Sequence, residues 1–297
     1  MKPFFALTAL GVLAATALSA TDLSNTNSPD KSQYNLFNPT PSNLLRPINS
    51  DQFDNVLDAH TLDAGHVQID ASLVNYYYYS IRYYVPGLSY RVAEDEYSWT
   101  PRFRVGLLNN LDFEVNPTYS IRSDNVAGAY GAPYTPDAFN STAHSSGFGD
   151  IGLGPKINLW GNDEGVTALA IHPYLSIPPR RGVLLGGADI AFGWQMPRGF
   201  YLKLDSEFYV TDNARHTLYG GFYNSVSLHK TLCSKAEVYW YLDSTVTSDP
   251  LSSWYGYTGF GAIYKISPDL ELYGGIGFGL NSGAYDYNPR FGVIYRF

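Results

Sequence analysis

This chain of 297 residues is short of several things that proteins commonly use. Charged residues make up only 15% of it, where ordinary globular domains carry about 25%. A single cysteine, Cys233, excludes a disulfide framework and a cysteine-rich zinc module. With 19 basic against 27 acidic residues the formal net charge is −8, which argues against a nucleic-acid partner. No stretch after residue 20 approaches the ~18 consecutive apolar residues that a membrane-crossing helix needs, and no segment has helical periodicity. There is no glycine-rich phosphate loop, because Gly147, Gly149, Gly152 and Gly154 sit in a strand-like pattern. His60 and His66 flank Asp63 too sparsely to form a metal site, so neither a metal nor a cofactor is expected.

What is abundant is tyrosine, 26 residues, and glycine, 28 residues. The N-terminus has the form of a secretory signal: Lys2, an apolar core from Phe4 to Ala15, then small residues at Ala17, Ser19 and Ala20. The expected division is a signal peptide at 1–20, an extended periplasmic lead-in at 21–63 and one domain at 64–297. The lead-in is rich in Asn, Ser, Pro and Asp, a composition that reads as loop.

From Ala64 the pattern changes to alternation with period two, the mark of strands with two different faces. Leu111, Phe113, Val115, Pro117 and Tyr119 share one face, opposite Asp112, Glu114, Asn116 and Thr118. Comparable runs recur from Trp99, Asp150, Ala168, Asp189, Leu202, Lys235 and Leu270 onward, and a final one covers Tyr287 to Phe297. Short connections near 108–110, 161–165, 197–199, 230–234 and 266–269 alternate with longer ones near 80–96, 122–147, 178–187, 211–218, 244–253 and 281–286. Tight turns at one end and longer loops at the other are how an outer-membrane barrel is threaded. The predicted fold is therefore all-β, a transmembrane antiparallel up-and-down barrel of about 12 strands of ~10 residues each. A soluble sandwich would place charges outside. Here the polar faces carry mainly Gly, Ser, Asn, Thr and Tyr, while Tyr97, Trp99, Tyr119, Trp160, Trp194, Tyr201, Trp254 and Tyr255 gather near strand ends as an interfacial girdle would.

Several segments resemble the outer-membrane transporter-like family named for the meta-pathway of phenol degradation. They are Asn38-Pro39-Thr40-Pro41, Leu44-Leu45-Arg46, Thr61 to Ile69, Gly147 to Lys156, Asp269 to Asn281 and Phe291 to Phe297. The chain departs from that family at Ser50-Asp51-Gln52-Phe53-Asp54, where relatives carry an Asp-Arg-Pro-Asp-like run. The resemblance implies a barrel that transports small solutes, and the family's name implies aromatic or other hydrophobic ones. The closing strand, with Phe291, Val293, Tyr295 and Phe297 on one face, is similar to the signal read by the barrel-insertion machinery. That machinery and outer-membrane lipid are the expected partners, besides a small solute the sequence does not name.

Function is expected in the lumen. The inward-facing candidates are Arg102, Arg104, Asp112, Glu114, Asp150, Lys156, His172, Lys203, Asp205, Glu207, Glu237, Glu271, Arg290 and Arg296. They form either a charged constriction that selects solutes or a paired network that fills the lumen, since buried charges persist only when paired. No catalytic residue is assigned. An outer-membrane lipid hydrolase is one alternative; it needs a nucleophile, a base and an orienting group, and only His172 stands on an inward face, with no partner at a recognisable spacing. A plugged structural or adhesive barrel is another, with Tyr130, Tyr134 and Phe139 of the 122–147 connection as its binding surface.

Overall fold

The computed structural model describes residues 30–51, 53–85, 88–130, 138–163, 165–179, 185–212, 218–248 and 254–297. The expected signal peptide, Gln52 and Tyr134 lie outside the described residues. The strands are β1 (Val67–Val85), β2 (Leu88–Trp99, resuming as Arg102–Leu108), β3 (Leu111–Tyr130), β4 (Ala138–Trp160), β5 (Thr167–Ile177) and β6 (Leu185–Met196), followed by β7 (Phe200–Asp212), β8 (Leu218–Cys233), β9 (Ala236–Thr247), β10 (Trp254–Ser267), β11 (Leu270–Gly279) and β12 (Tyr287–Arg296). Each pairs antiparallel with the next, and β12 pairs back to β1 from Gln68↔Arg296 to Tyr78↔Tyr287, which closes a twelve-stranded barrel. Closure leaves no sheet edge within the ring, the condition hydrocarbon imposes on a β structure.

Alternation places the apolar residues outside. Trp99, Ile121, Phe148, Leu175, Trp194, Phe208, Trp240, Phe260 and Phe291 are all exposed on the outer wall. Tyr76 packs against Tyr97 with ring centroids 4.7 Å apart, and Tyr78 stacks on Tyr287 at 5.0 Å, forming part of an aromatic band. Tyr201 departs from the expected girdle: it faces inward, beside His60.

The wall is uneven. β1, β3 and β4 run for 19, 20 and 23 residues, whereas β11 and β12 have 10 each. Much of the connections expected at 80–96 and 122–147 is therefore strand. The surplus length belongs to one sector, where β4 pairs with β3 as far as Ala138 but meets β5 only between Ile151 and Trp160.

In that sector, proline faces proline twice. The register flanking Trp99↔Tyr119 and Phe103↔Val115 sets Pro101 opposite Pro117. The register flanking Leu153↔Leu175 and Ile157↔Ile171 sets Pro155 opposite Pro173. Neither partner in such a pair has an N–H to donate, so the ladder is interrupted at both places.

Elsewhere the inner wall is tight. Tyr239, Tyr241 and Tyr273 lie across strands whose glycines make room for them: a methyl group at Gly261 would stand 2.3 Å from Tyr239 Oη, and one at Gly292 2.3 Å from the Tyr273 ring. The abundance of tyrosine and glycine is thus one packing device.

The lead-in corrects the sequence reading. Instead of an extended periplasmic segment, residues 46–51 and 53–64 form a loop within the barrel, contacting inward side chains of β2, β4, β7, β8, β9 and β12. Ile48, Phe53, Val56, Leu57, Ala59, Leu62 and Ala64 are buried there. The loop enters at the short-turn end, where Arg46 bonds Asn109. It turns back at Asn55, whose φ is 59°, and leaves past Gly106, where a Cβ would stand 2.0 Å from Asp63 O.

The proline seams make the wall open locally at lower cost than its other side. Hydrogen exchange in micelles should show the amides of Leu153–Ile157 and Ile171–Leu175 exchanging ahead of those of Ile190–Leu204. Equal protection at both places would refute this.

Candidate functional site

An irregular segment cannot be buried unless its backbone groups find partners. Here the inward side chains supply them. Gln68 and Arg104 donate to Asn49 O at 2.7 and 3.1 Å. Lys203 donates to Ser50 O and Val56 O at 3.2 and 3.1 Å. Tyr239 donates to Phe53 O at 3.0 Å, Tyr223 to Asn55 O at 3.0 Å and Asn158 to Ala59 O at 2.7 Å. Arg296 donates to Arg46 O at 2.6 Å.

The loop's aspartates meet the wall's cations. Asp51 lies 2.9 Å from Lys156 Nζ, 3.1 Å from Arg102 Nη1 and 3.7 Å from Arg104 Nη1. Behind it, Asp112 accepts from Arg104 at 2.7 Å and from the Leu62 amide at 2.7 Å, and Glu114 lies 3.4 Å from Arg104. Asp54 lies 3.0 Å from Lys203 Nζ and 2.7 Å from His229 Nε2, and accepts from Ser227 Oγ at 2.6 Å. Glu237 faces the other His229 nitrogen at 2.7 Å. Asp63 binds Lys31 at 3.2 Å and Arg46 at 3.3 Å, with Arg296 at 3.8 Å. Burial alone would raise the loop acids Asp51, Asp54 and Asp58. Lys156, Arg104 and Arg102 nonetheless hold Asp51 far below the usual carboxylate range, Lys203 and His229 hold Asp54 down, and His60 does the same for Asp58.

The predicted lumen residues fall into groups. Arg102, Arg104, Asp112, Glu114 and Lys156 surround Asp51, while Lys203 and Glu237 belong to the Asp54 cluster. Arg296 stands at the short-turn end with Asp63 and Asp269. Arg290 holds the loop's tip, donating to Asn55 Oδ1 at 2.7 Å and to Tyr241 Oη at 2.8 Å. Glu271 stands apart, 3.5 Å from Lys265. Asp150 accepts from Ser176 at 2.7 Å near the long-loop end. His172, Asp205 and Glu207 line a cavity of about 280 Å³ beside the loop. Phe291, Val293, Tyr295 and Phe297 share the outer face.

The sequence reading missed Asp51, Asp54, Ser227 and His229. β8 alternates weakly, which hid His229; the spacing of Asp51, Asp54, Asp58 and Asp63 was the one available signal for the loop. His172 is held by Asp189, Nδ1 to Oδ2 at 2.9 Å, with no nucleophile beside it. Ser227, His229 and Glu237 line up at 3.0 and 2.7 Å in the order of a nucleophile, base and orienting acid. Ser227 is fully buried, however, and Asp54 occupies the place an acyl group would need. Among the described residues, no group of His, Cys, Asp and Glu is arranged to hold a metal.

The family model described as "Putative MetA-pathway of phenol degradation" matches residues 50–297. The crystal structure of the COG4313 outer membrane channel from Pseudomonas putida F1 is similar at TM-score 0.51 and 11% identity, covering 84% of this chain and 98% of that one. The NanC porin is similar at TM-score 0.44 and 9% identity, covering 77% of this chain and 98% of that one. No curated protein matches the sequence.

Replacing Asp51 by Asn leaves Lys156, Arg102 and Arg104 with only Asp112 and Glu114 as counter-charge, one negative charge too few, and breaking a buried pair in this way costs about 3–5 kcal/mol. Asp51→Asn should therefore expose residues 46–64 to added protease in micelles while the barrel stays folded. Because Asp51, Asp54 and Asp58 titrate lower when the loop is seated than when it is free, the tether is complete above about pH 4 and fades as pH falls through the seated values. Wild-type cleavage should stay low down to about pH 4 and rise below it. A loop already released at pH 6, or a variant as resistant as wild type, would contradict the assignment.

Proposed function

Because the chain belongs to the MetA-pathway of phenol degradation family, which takes in residues 50–297, we propose that it is an outer-membrane channel for small solutes, kept shut by its own residues 46–64. Export by residues 1–20, insertion through the strand ending at Phe297 and residence in outer-membrane lipid complete this reading. The apolar outer wall and the fold it shares with a solved outer-membrane channel support it.

One observation carries the proposal. A cavity of about 370 Å³ near the long-loop end and the 280 Å³ cavity below it share Tyr174, Ser176, Glu207 and Tyr223. The lower one ends on Asp51, Asn55 and Leu57. The path is stopped by the loop, not by the wall. Movement through it would be passive diffusion once the loop yields, and the family name points to aromatic or other hydrophobic solutes as the cargo.

The same loop also suits the alternative of a permanently plugged, structural barrel. Planar-bilayer recording separates the two. Wild type should give small, infrequent steps, and removal of residues 46–62 should raise unitary conductance several-fold, with heat-shifted gel mobility confirming that the barrel has formed. Silence in both proteins would overturn the channel reading in favour of the structural one.

A further inference from the structure

The loop and the wall are complementary on one side of the lumen only. The loop's aspartates face the cations of β2, β4, β7, β8 and β12. Towards the cavity on the β5, β6 and β7 side the loop presents Asn55, Leu57 and Asp51, and so brings no positive charge to it. The wall there is acidic. Asp189 on β6 stands directly opposite Glu207 on β7, and Asp205, two residues before Glu207, shares its face. Like charges directly opposite each other on one face destabilise a sheet.

Nothing basic and uncommitted answers these acids. Among the described residues no Lys or Arg lies within ion-pair range of Asp189, Asp205 or Glu207. Arg102 lines the same cavity but is shared between Asp51 at 3.1 Å and Glu114 at 3.6 Å. His172 serves Asp189, and Tyr174 donates to Glu207. Asp205 takes only a 3.5 Å contact from the Leu57 amide; its Oδ1 has no hydrogen-bond partner, although the residue is 5% exposed.

A buried, unmet carboxylate oxygen beside two further acids is costly unless something positive joins it. The space to hold such a group is present, since 280 Å³ is room for roughly nine waters at ~30 Å³ each. Tyr174 and Tyr223 also line it, and aromatic rings favour cations further. Among the described residues these acids are not arranged as a metal-holding group, which favours an organic cation here.

From this geometry we infer that the lumen cavity bounded by Asp189, Asp205 and Glu207 is a binding site for a small organic cation, an ammonium group carrying a short apolar or aromatic body. This rests on the channel reading only in its consequence, that the pore favours cationic solutes. The ammonium would sit between Asp205 and Glu207 and its body against Tyr174 and Tyr223. It would relieve the repulsion between facing strands that the fold otherwise retains.

The test uses three probes of one shape and different charge: benzylammonium, benzyl alcohol and benzoate. Calorimetry on the full chain in micelles should show benzylammonium binding at least tenfold more tightly than either other probe. In Asp205→Asn/Glu207→Gln, which keeps the side-chain shapes, that preference should fall to within about twofold. Comparable binding of benzyl alcohol and benzylammonium by wild type, or an undiminished preference in the double variant, would overturn the inference. Bilayer recordings of the loop-deleted protein keep the two readings apart. Conductance with neither ammonium binding nor cation selectivity ends the cation site alone. Ammonium binding without conductance upholds the site and ends the channel.

Discussion

The lumen is organised by the need to seat an irregular loop, described over residues 46–51 and 53–64, without leaving its buried backbone groups unmet. A helix or strand meets that need with its own ladder. The 46–64 loop has none, so the wall supplies donors to the carbonyls of Arg46, Asn49, Ser50, Phe53, Asn55, Val56, Ala59 and His60. That is why the inward faces carry Gln68, Arg104, Asn158, Lys203, Tyr223, Tyr239 and Arg296 where an apolar core would be simpler. The donors that are cations bring charge into a closed space, and charge requires counter-charge. The loop's aspartates provide it. Backbone satisfaction and ionic pairing are therefore one arrangement.

The barrel was readable because its evidence is local. Period two, the alternation of short and long connections and the closing strand all lie within windows of about ten residues. Asp112, Glu114, Arg102 and Arg104 could be placed on inner faces by counting alone. The loop was not readable, because its composition matches that of any exposed lead-in and its partners lie far along the chain: Asp51 to Lys156 spans 105 residues and Asp54 to His229 spans 175. No window contains both members. The extra length of β3 and β4 was hidden differently: Ser123 to Ala129 and Asn140 to Ser146 are small and polar on both faces, which reads as loop although the backbone pairs throughout.

Composition is explained by the same geometry. Low total charge follows from one face of every strand being turned to lipid, and the inner face then divides into three regions. On the β9 to β12 side tyrosines lie over glycines, and the contact is tight. Around β2 to β4 and at Lys203 and His229 the charges are neutralised by the loop. Along β5 to β7 acids remain with a cavity in front of them. The excess of acidic over basic residues is thus partly spent on the loop and partly concentrated in one sector.

The way the loop is held bears on whether it can leave. An apolar plug would be expelled into water only against the hydrophobic effect, at about 25 cal/mol for each Å² re-exposed. This loop buries few large apolar groups, chiefly Ile48, Phe53, Val56, Leu57 and Leu62. Most of its attachment is ionic and hydrogen-bonded, and such contacts lose little when water replaces both partners together, though they are costly to break singly in a dry site. Release should therefore be cooperative: one ion pair opening alone is penalised, while hydration of the Asp51 and Asp54 clusters together is much less so. The proline-faced seams of β2–β3 and β4–β5 border the Asp51 cluster, since Arg102 follows Pro101 and Lys156 follows Pro155. The weakest part of the wall thus lies beside the strongest tether of the loop, and water reaching one would loosen the other.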